Sequence, residues 1–300
     1  MFLLSRILTK HIMKPIDALD MAEPLENEIY EEMVPLLQRI DDQQTLLKKQ
    51  NKELAEAESM RRDFSSNVSH EMKTPLQVIS GYAELMKNDM VLPGDRQKFA
   101  GLIYDEAQAM RGLINDVLTL SKLDESAFTR EDLPIDVRGV ADRMDDRLSS
   151  FASDRDVSVK VEGDSAFIRG SETLAEEMLY NLIENGIRYN REGGTVSVRV
   201  SRRPAQAVDV VAFREEGAEG AIRELVEMRV SDTGPGVPEN MREKIFERFF
   251  RLDKSRSKET GGTGLGLAIV KHAVQYHHGV IAVEGKLGEG TTFVLMFPGA

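Results

Sequence analysis

The sequence has 300 residues, which suggests about two domains, and its 41% hydrophobic and 30% charged residues are ordinary for a globular protein. The net charge of −12 argues against nucleic-acid binding, and the absence of cysteine excludes disulfides and thiolate chemistry. No stretch approaches the roughly 20 consecutive apolar residues that a membrane-spanning helix requires. The composition therefore predicts a chain that is itself soluble.

Residues 1–58 are predicted to form a helical signal linker. Between Pro35 and Met60 there is neither proline nor glycine, and apolar residues recur at a loose heptad-like spacing. They are Leu36, Ile40, Leu47, Leu54 and Ala57. The pattern fits a parallel coiled coil or a single solvated helix, and we favour the coiled coil because the pattern continues into the next helix. The apolar opening, MFLLSRIL, is too short to cross a membrane, but it could be the inner end of a membrane helix that begins upstream of residue 1.

A histidine-centred stretch, SHEMKTPL, lies inside the next helical pattern. At about 100° per residue, apolar side chains form one stripe, and His70 points to the opposite, solvent side. The stripe comprises Phe64, Val68, Met72, Leu76, Ile79, Ala83 and Met86. Glu71 comes next, Thr74 lies one turn later on the face of His70, and Pro75 favours a bend. A lone histidine on a polar helix face is usually an ordinary surface residue, so a functional interpretation needs support from elsewhere in the chain.

Two amphipathic helices, over residues 59–90 and roughly 96–123, are joined by the turn VLPGD. Such a hairpin has too little core to fold alone, so we expect a homodimer in which two hairpins form a four-helix bundle. The alternative is that the hairpin packs onto the other domain of its own chain. A polar linker at residues 124–133 follows.

Beyond the linker the pattern changes to short strands mixed with helices. Strands are predicted at residues 157–161, 195–200, 224–231, 280–283 and 292–297, and helices at residues 172–189 and around Lys271. Mostly antiparallel strands grouped with helices predict an α+β sandwich, a sheet covered by helices. The Ala-, Gly- and Glu-rich residues 202–220 are interpreted as an enlarged hairpin loop and not as a site.

Four stretches of this second region indicate a nucleotide site, and the first is NLIENGIRYN. Asn181 and Asn185 share a helix face one turn apart, and two amide oxygens directed at one point suit a Mg²⁺ ion bridged to phosphates. Arg188 could reach a phosphate, and Tyr189 could line the base pocket. The alternative is that both asparagines are ordinary residues of a polar helix face.

The second stretch, DTGPGVP, places a carboxylate at a strand end before two glycines. Asp232 can accept a hydrogen bond from an exocyclic amine, which selects adenine over guanine, while Gly234 and Gly236 let backbone approach a flat ligand. The same residues are also good tight-turn chemistry.

The remaining two stretches suit phosphates. In GGTGLGLAIV a glycine-rich loop runs directly into an apolar helix, so free amides and the helix N-terminus both face an anion. Its candidate ligand-binding residues are Gly262, Thr263, Gly264, Leu265 and Gly266. In IFERFFRLDKSRSK, three phenylalanines can anchor a lid whose cations include Arg251 and Lys254. The alternative for this last stretch is a solvated charged loop.

In this order, the histidine stretch and the four nucleotide stretches resemble the sensor histidine kinases of bacterial two-component systems. The likeness covers residues 59–298 and extends to GEGTTF near the end, which looks like the last glycine box. The nearest subgroup resembles the phosphate-regulon sensors. Departures are small: Arg188 stands where lysine is commoner, Pro235 lies inside a glycine box, and His277-His278-Gly279 replaces His-Gly-Gly. Residues 1–58 resemble a HAMP-type linker only faintly.

The resemblance implies a dimerisation and histidine phosphotransfer domain at residues 59–125 and a Bergerat-type ATP-binding domain of the GHKL superfamily at residues 126–300. It implies that ATP with Mg²⁺ phosphorylates His70, that Glu71 orients the imidazole and takes its proton, and that a response-regulator aspartate receives the phosphoryl group. It also implies that Thr74 positions water for dephosphorylation of that regulator. The expected location is the cytoplasmic side of the membrane, with attachment through a segment upstream of residue 1.

Two other functions fit parts of the sequence. A GHKL ATPase of the chaperone or topoisomerase kind carries a glutamate one turn before the metal-binding asparagine, where this chain has Asn181, so hydrolysis is disfavoured. A nucleotide-binding dimeric scaffold would not need the intact His70 and lid.

Overall fold

The computed structural model describes residues 34–124, 132–206, 213, 222–252 and 262–300. The chain divides into two compact units, residues 1–66 and 67–300. Among the described residues, no helix is long and apolar enough to cross a bilayer.

Helix α1 is one element from Val34 to Lys87, so the predicted continuity from the linker into the histidine stretch is confirmed. In residues 34–66 its apolar side chains are mostly exposed, and those above one-third exposure are Val34, Leu36, Leu46, Leu47, Leu54 and Met60. Two ion pairs lie on this exposed surface, each between residues one helical turn apart: Lys49–Glu53 and Lys52–Glu56. A helix with so little burial is marginal by itself, because most helical stability comes from packing. The coiled coil stays a prediction.

The predicted hairpin is present within residues 67–300. After Lys87 the chain passes through a turn and a short 3₁₀ helix, Pro93–Asp95, into helix α2, Arg96–Asp124. Across the hairpin, the rings of Tyr82 and Phe99 meet edge to face at 5.2 Å. Of the predicted linker, residues 125–131 lie outside the described part of the chain.

The remaining residues form an α+β domain, as predicted. Its elements in chain order are β1 Leu133–Asp136, α3 Val137–Ser153, β2 Ser158–Gly163, β3 Phe167–Gly170, α4 Glu172–Arg188, β4 Thr195–Pro204, β5 Glu224–Asp232, α5 Gly266–Tyr276, β6 Val280–Lys286 and β7 Gly290–Pro298. Five strands form one sheet in the order β2-β4-β5-β7-β6, in which β2 and β4 are parallel and the other pairs antiparallel. Strands β1 and β3 make a separate antiparallel pair.

The core lies between one face of the sheet and the three helices α3, α4 and α5. Alternate residues of β4 point inward, and Val196, Val198 and Val200 are buried against α4 side chains such as Leu179 and Ile183. The helices also contact one another, α3 with α4 and α4 with α5. Helix α4 is therefore packed on several sides, and this packing holds the residues at its C-terminal end in place.

Among the α-helices and strands of the α+β domain given above, three were not predicted: β1, α3 and β3. The signal for α3 was present, because Val137, Val140, Ala141, Met144 and Leu148 are buried at helical spacing. The helix also begins with a side-chain cap, in which Asp136 accepts a hydrogen bond from the Arg138 amide. Strands β1 and β3 have four residues each, too few for a recognisable alternation.

The interpretation of residues 202–220 as a hairpin loop needs one correction. Strand β4 extends to Pro204, which pairs with Glu224, so the first residues of this stretch belong to the sheet. Phe213 is fully buried, while residues 207–212 and 214–221 lie outside the described part of the chain.

Candidate functional site

Asp232 ends β5, the central strand of the five-stranded sheet. Its Oδ1 accepts hydrogen bonds from the backbone N–H of Gly234 at 2.8 Å and of Thr291 at 3.3 Å. Burial raises the pKa of this carboxyl group, and the hydrogen bonds partly oppose that shift. Backbone amides from two segments thus hold the carboxylate in one orientation. A side chain that selects a ligand through a single hydrogen bond needs to be held in this way.

The two glycines after Asp232 are required by the packing of the protein itself. A Cβ on Gly234 would lie 2.8 Å from the Tyr189 carbonyl oxygen. A Cβ on Gly236, whose φ is +77°, would lie 2.4 Å from the Lys286 carbonyl oxygen. Both distances are too short for real side chains. The turn after β5 therefore fits tightly between the end of α4 and the turn that joins β6 to β7.

Asn181 and Asn185 lie one turn apart on α4, as predicted. Asn181 is 8% exposed, and its Nδ2 donates to the Glu177 carbonyl oxygen at 2.8 Å. Its Oδ1 faces the start of α5, where a Cβ on Gly266 would lie 2.4 Å away. Asn185 is half-buried. The structure therefore brings the asparagine face of α4 to the helix that follows the glycine loop.

The C-terminal end of α4 lies beside Gly262. A Cβ on Gly262 would be 3.5 Å from the Tyr189 hydroxyl and 4.0 Å from Cδ of Arg188. The Arg188 guanidinium forms an ion pair with Glu184 and lies 5.5 Å from the centre of the Phe151 ring. Arg188 thus lies at the glycine loop, but its guanidinium is already paired with the carboxylate of Glu184. Its contact with a phosphate stays a prediction.

The predicted lid stretch is bonded to the glycine loop. Arg251 Nη1 donates to the Gly262 carbonyl oxygen at 2.7 Å, and the Phe249 amide donates to the Gly264 carbonyl oxygen at 2.9 Å. A Cβ on Gly264, whose φ is +70°, would lie 3.0 Å from the Phe249 backbone. Arg251 therefore holds the loop backbone here, while Lys254 lies outside the described residues.

Thr263 connects the glycine loop to the hairpin. Its hydroxyl donates to Oδ2 of Asp116 on α2 at 2.7 Å and accepts from the Leu265 amide at 3.2 Å. Leu265, the N-cap residue of α5, is fully buried, and its own apolar side chain makes no capping hydrogen bond.

The histidine stretch is exposed on α1, including His70, Glu71 and Thr74. The Thr74 hydroxyl donates to the His70 carbonyl oxygen at 3.3 Å. Pro75 follows within the helix and removes one backbone donor at this level. Thr74 thus makes the backbone contact that a structural role predicts, and a role in positioning water is not tested by it.

Two family descriptions match the chain. Residues 60–126 match "His Kinase A (phospho-acceptor) domain", and residues 170–300 match "Histidine kinase-, DNA gyrase B-, and HSP90-like ATPase". The sensor-like histidine kinase SenX3 of Mycolicibacterium smegmatis is 33% identical over 247 residues, which is 82% of this chain and 59% of SenX3. This chain belongs to the sensor histidine kinases.

Two further comparisons agree with the kinase assignment. The phosphate regulon sensor protein PhoR of Pseudomonas aeruginosa is 32% identical over 242 residues, covering 80% of this kinase and 50% of PhoR. The full-length structure of ShkA in complex with AMPPNP is 28% identical with a TM-score of 0.53, covering 78% of this kinase and 45% of ShkA. The chain spans between about half and three-fifths of the curated relatives described here.

The kinase's predicted nucleotide residues are brought together, with one residue undescribed. They border one region between α4, the end of β5 and the start of α5. These residues are Asp232 with its two glycines, the asparagines of α4, Arg188, Tyr189 and the glycine loop. Within the described residues, no hydrogen bond joins His70 to this region. His70 lies on the helical hairpin, and the predicted nucleotide residues lie on the α+β domain.

Asp116 was missed by the sequence reasoning. It lies on the second hairpin helix among ordinary polar residues, and no local motif distinguishes it. Its pKa is raised to about 6, mainly by burial and also by the charges of Glu177 and Glu184, while the hydrogen bond from Thr263 acts in the opposite direction. Only the tertiary contact with the glycine loop shows that this residue reaches the site.

Proposed function

We propose that the kinase uses ATP to phosphorylate His70 and then passes the phosphoryl group to an aspartate of a response regulator. The observation that carries this proposal is the assembly of Asp232, the asparagine face of α4 and the glycine loop around one region, in the same chain as an exposed histidine on a helical hairpin. The family membership supports both halves of the reaction.

The nucleotide fits the residues present. Asp232 is an oriented acceptor for the exocyclic amine of adenine, and Tyr189 lies where a base could stack beside Gly262. The glycine loop and the N-terminus of α5 favour the phosphates, because their amides point toward an anion. Arg251, with Lys254, would then add positive charge next to the loop.

Mg²⁺ is part of this proposal through Asn185 and Asn181. Within the described residues, no group of three or more His, Cys, Asp and Glu side chains is placed to hold a metal ion. Two neutral amide oxygens fit an ion that keeps waters and takes its remaining ligands from a nucleotide. When bound, the ion supplies charge neutralisation on the phosphates.

In the proposed transfer, a ring nitrogen of His70 bonds to the γ-phosphorus while the bond from that phosphorus to the bridging oxygen breaks, so that ADP leaves. Glu71, the adjacent carboxylate, orients the imidazole and accepts its proton. The catalytic domain must move to the histidine, because His70 is exposed on α1 and lacks described contacts with the nucleotide region. Such domain motions take microseconds to milliseconds.

The proposal includes a homodimer. The hairpin exposes large apolar side chains, among them Leu76 at 51%, Tyr104 at 63% and Leu118 at 52%. A second hairpin would bury these residues in a four-helix bundle.

The same proposal includes three further points. The chain is attached to the cytoplasmic side of a membrane, its domain boundaries lie at residues 58/59 and 125/126, and Thr74 serves a phosphatase activity toward the regulator.

Incubation of the purified chain with γ-labelled ATP tests the central step. Label that stays on the protein in base and leaves in acid is the result expected of a phosphohistidine. Release of free phosphate without labelled protein would instead indicate a GHKL-type ATPase, and nucleotide binding with neither product would indicate a scaffold.

A further inference from the structure

The hydrogen bond between Asp116 and Thr263 joins residues 147 positions apart in the sequence. It accompanies a wider contact in which α2 lies against α5 and Leu123 packs on the core of the α+β domain. The hairpin of the kinase is therefore docked on the side of the domain that carries the glycine loop.

The carboxylate of Asp116 occupies a position suited to an anion. Thr263 lies just before α5, and its hydroxyl links the carboxylate to the Leu265 amide at the start of that helix. The N-terminal end of a helix attracts negative charge, and the N-cap residue of α5, Leu265, has an apolar side chain that supplies none. This loop is also the one that the proposed function assigns to the nucleotide phosphates.

The surroundings of Asp116 oppose its charge. Its carboxyl group is largely buried, and Glu177 and Glu184 on α4 add negative charge nearby, so its pKa rises to about 6. The hydrogen bond from Thr263 acts in the opposite direction. A carboxylate that moved from this position into water would recover its hydration. The contact is consequently one that a stronger anion can displace.

We propose that Asp116 is an autoinhibitory residue that competes with a nucleotide phosphate for the Thr263 hydroxyl. This inference rests on the proposed function, because it takes the glycine loop as the phosphate site. The docked hairpin lowers nucleotide affinity, and by linkage a bound nucleotide weakens the docking of α2 by the same factor. Nucleotide binding thereby helps to free the catalytic domain for its movement to His70.

The test compares Asp116→Ala with Asp105→Ala in the full chain. Asp105 is exposed on the same helix, about three turns earlier, so its replacement removes the same charge without the contact. Calorimetric titration with a non-hydrolysable ATP analogue should show about tenfold tighter binding for Asp116→Ala, the scale of one charge-assisted hydrogen bond. The Asp105→Ala chain should bind like the unaltered chain. Unchanged or weaker binding by Asp116→Ala would overturn the proposal.

A double-mutant cycle locates the effect at Thr263. Thr263→Val removes the hydroxyl that both anions need, so adding Asp116→Ala to it should bring no further gain in affinity. A full tenfold gain in the Thr263→Val background would show that Asp116 acts elsewhere and would reject the competition.

Hydrogen exchange on the unaltered chain gives a second test that needs no substitution. The ATP analogue should speed amide exchange in α2 around Asp116, and unchanged exchange there would contradict the proposal.

The phosphohistidine assay separates a failure of the autoinhibitory role from a failure of the kinase proposal. Labelled His70 together with unaltered affinity in Asp116→Ala rejects the autoinhibitory role alone. Unlabelled protein with the expected change in affinity rejects the kinase proposal alone.

Discussion

The hairpin and the α+β domain hold their functional residues in opposite ways. His70, Glu71 and Thr74 are exposed on one long helix, and the described contact among them is a single hydrogen bond from a hydroxyl to the backbone. Asp232, in contrast, is half-buried at the end of the central strand of the large sheet, and two backbone amides fix its carboxylate. The first region leaves its candidate residues open to solvent, whereas the second holds its candidate carboxylate in place with the backbone.

This difference predicts how substitutions will behave in the two regions. Changes in the histidine stretch should alter chemistry and leave folding and nucleotide affinity nearly untouched, because little of the structure depends on exposed side chains. Changes around Asp232 should alter ligand affinity and, where they affect packing, stability as well.

The largest effect is expected for His70→Gln. This change removes the proposed phosphoacceptor, so autophosphorylation should be abolished, while affinity for ATP should stay within about twofold because His70 lies outside the nucleotide region. Labelling with γ-labelled ATP and calorimetric titration on one preparation measure both quantities. Phosphohistidine retained in this variant would show that another histidine is the acceptor.

The next effect is expected for Asp232→Asn in the pocket. Loss of a charge-assisted hydrogen bond, worth roughly 1.5 to 3 kcal/mol, should weaken ATP binding by about tenfold to a hundredfold. The fold should survive, since burial raises the pKa of Asp232 and a neutral side chain is less costly to bury there. Asp164→Asn, at an exposed position, is the matched control for titration and thermal unfolding. Equal affinities in the two variants would mean that the adenine site lies elsewhere.

The same contrast explains what the sequence could predict. The helix at residues 172–189 and the strand at residues 224–231 were predicted to within one residue at each end, because periodic segments carry their own signal. The other four strands of the large sheet were predicted to exist, but one or both ends of each were missed by one to four residues. The histidine and glycine stretches were recognisable because their chemistry is local. Asp116 was not predictable, since its role depends on a contact with a residue 147 positions away. The need for glycine at position 236 likewise depends on a tertiary neighbour, Lys286.

A smaller and more selective effect is expected for Thr74→Ala. If the hydroxyl positions water, autophosphorylation should persist, and loss of phosphate from the regulator should slow by about tenfold or more, the scale of one positioning contact. If its bond to the His70 carbonyl oxygen is the whole role, both activities should fall together with thermal stability. Ser80→Ala, an exposed hydroxyl deletion on the same helix, is the control. Equal losses in the two activities would reject the phosphatase role.

The smallest effect on the proposed reaction is expected for His277, which contributes to the acid stability of the α+β domain. This side chain is buried, with Nδ1 2.7 Å from the Ala273 carbonyl oxygen and Nε2 accepting from the Ser171 amide at 3.2 Å. Burial lowers its pKa below the usual 6.5, so the folded state favours the neutral imidazole. The resulting stability is fully present above pH 6.5 and is lost as the pH falls toward the pKa of the folded state, because the unfolded chain then binds the extra proton.

His277→Gln isolates this contribution. At pH 7.5 the variant should be less stable by about 1 to 3 kcal/mol, because it leaves buried groups without their partners. Between pH 6.5 and 5, however, its free energy of unfolding should fall less steeply than that of the unaltered chain, by at most about 1.4 kcal/mol per pH unit. Urea unfolding at a series of pH values measures both quantities, with His70→Gln as a variant that removes an exposed histidine. Parallel pH profiles for His277→Gln and the unaltered chain would show that His277 does not titrate on unfolding, and the acid sensitivity of the domain would then have another source.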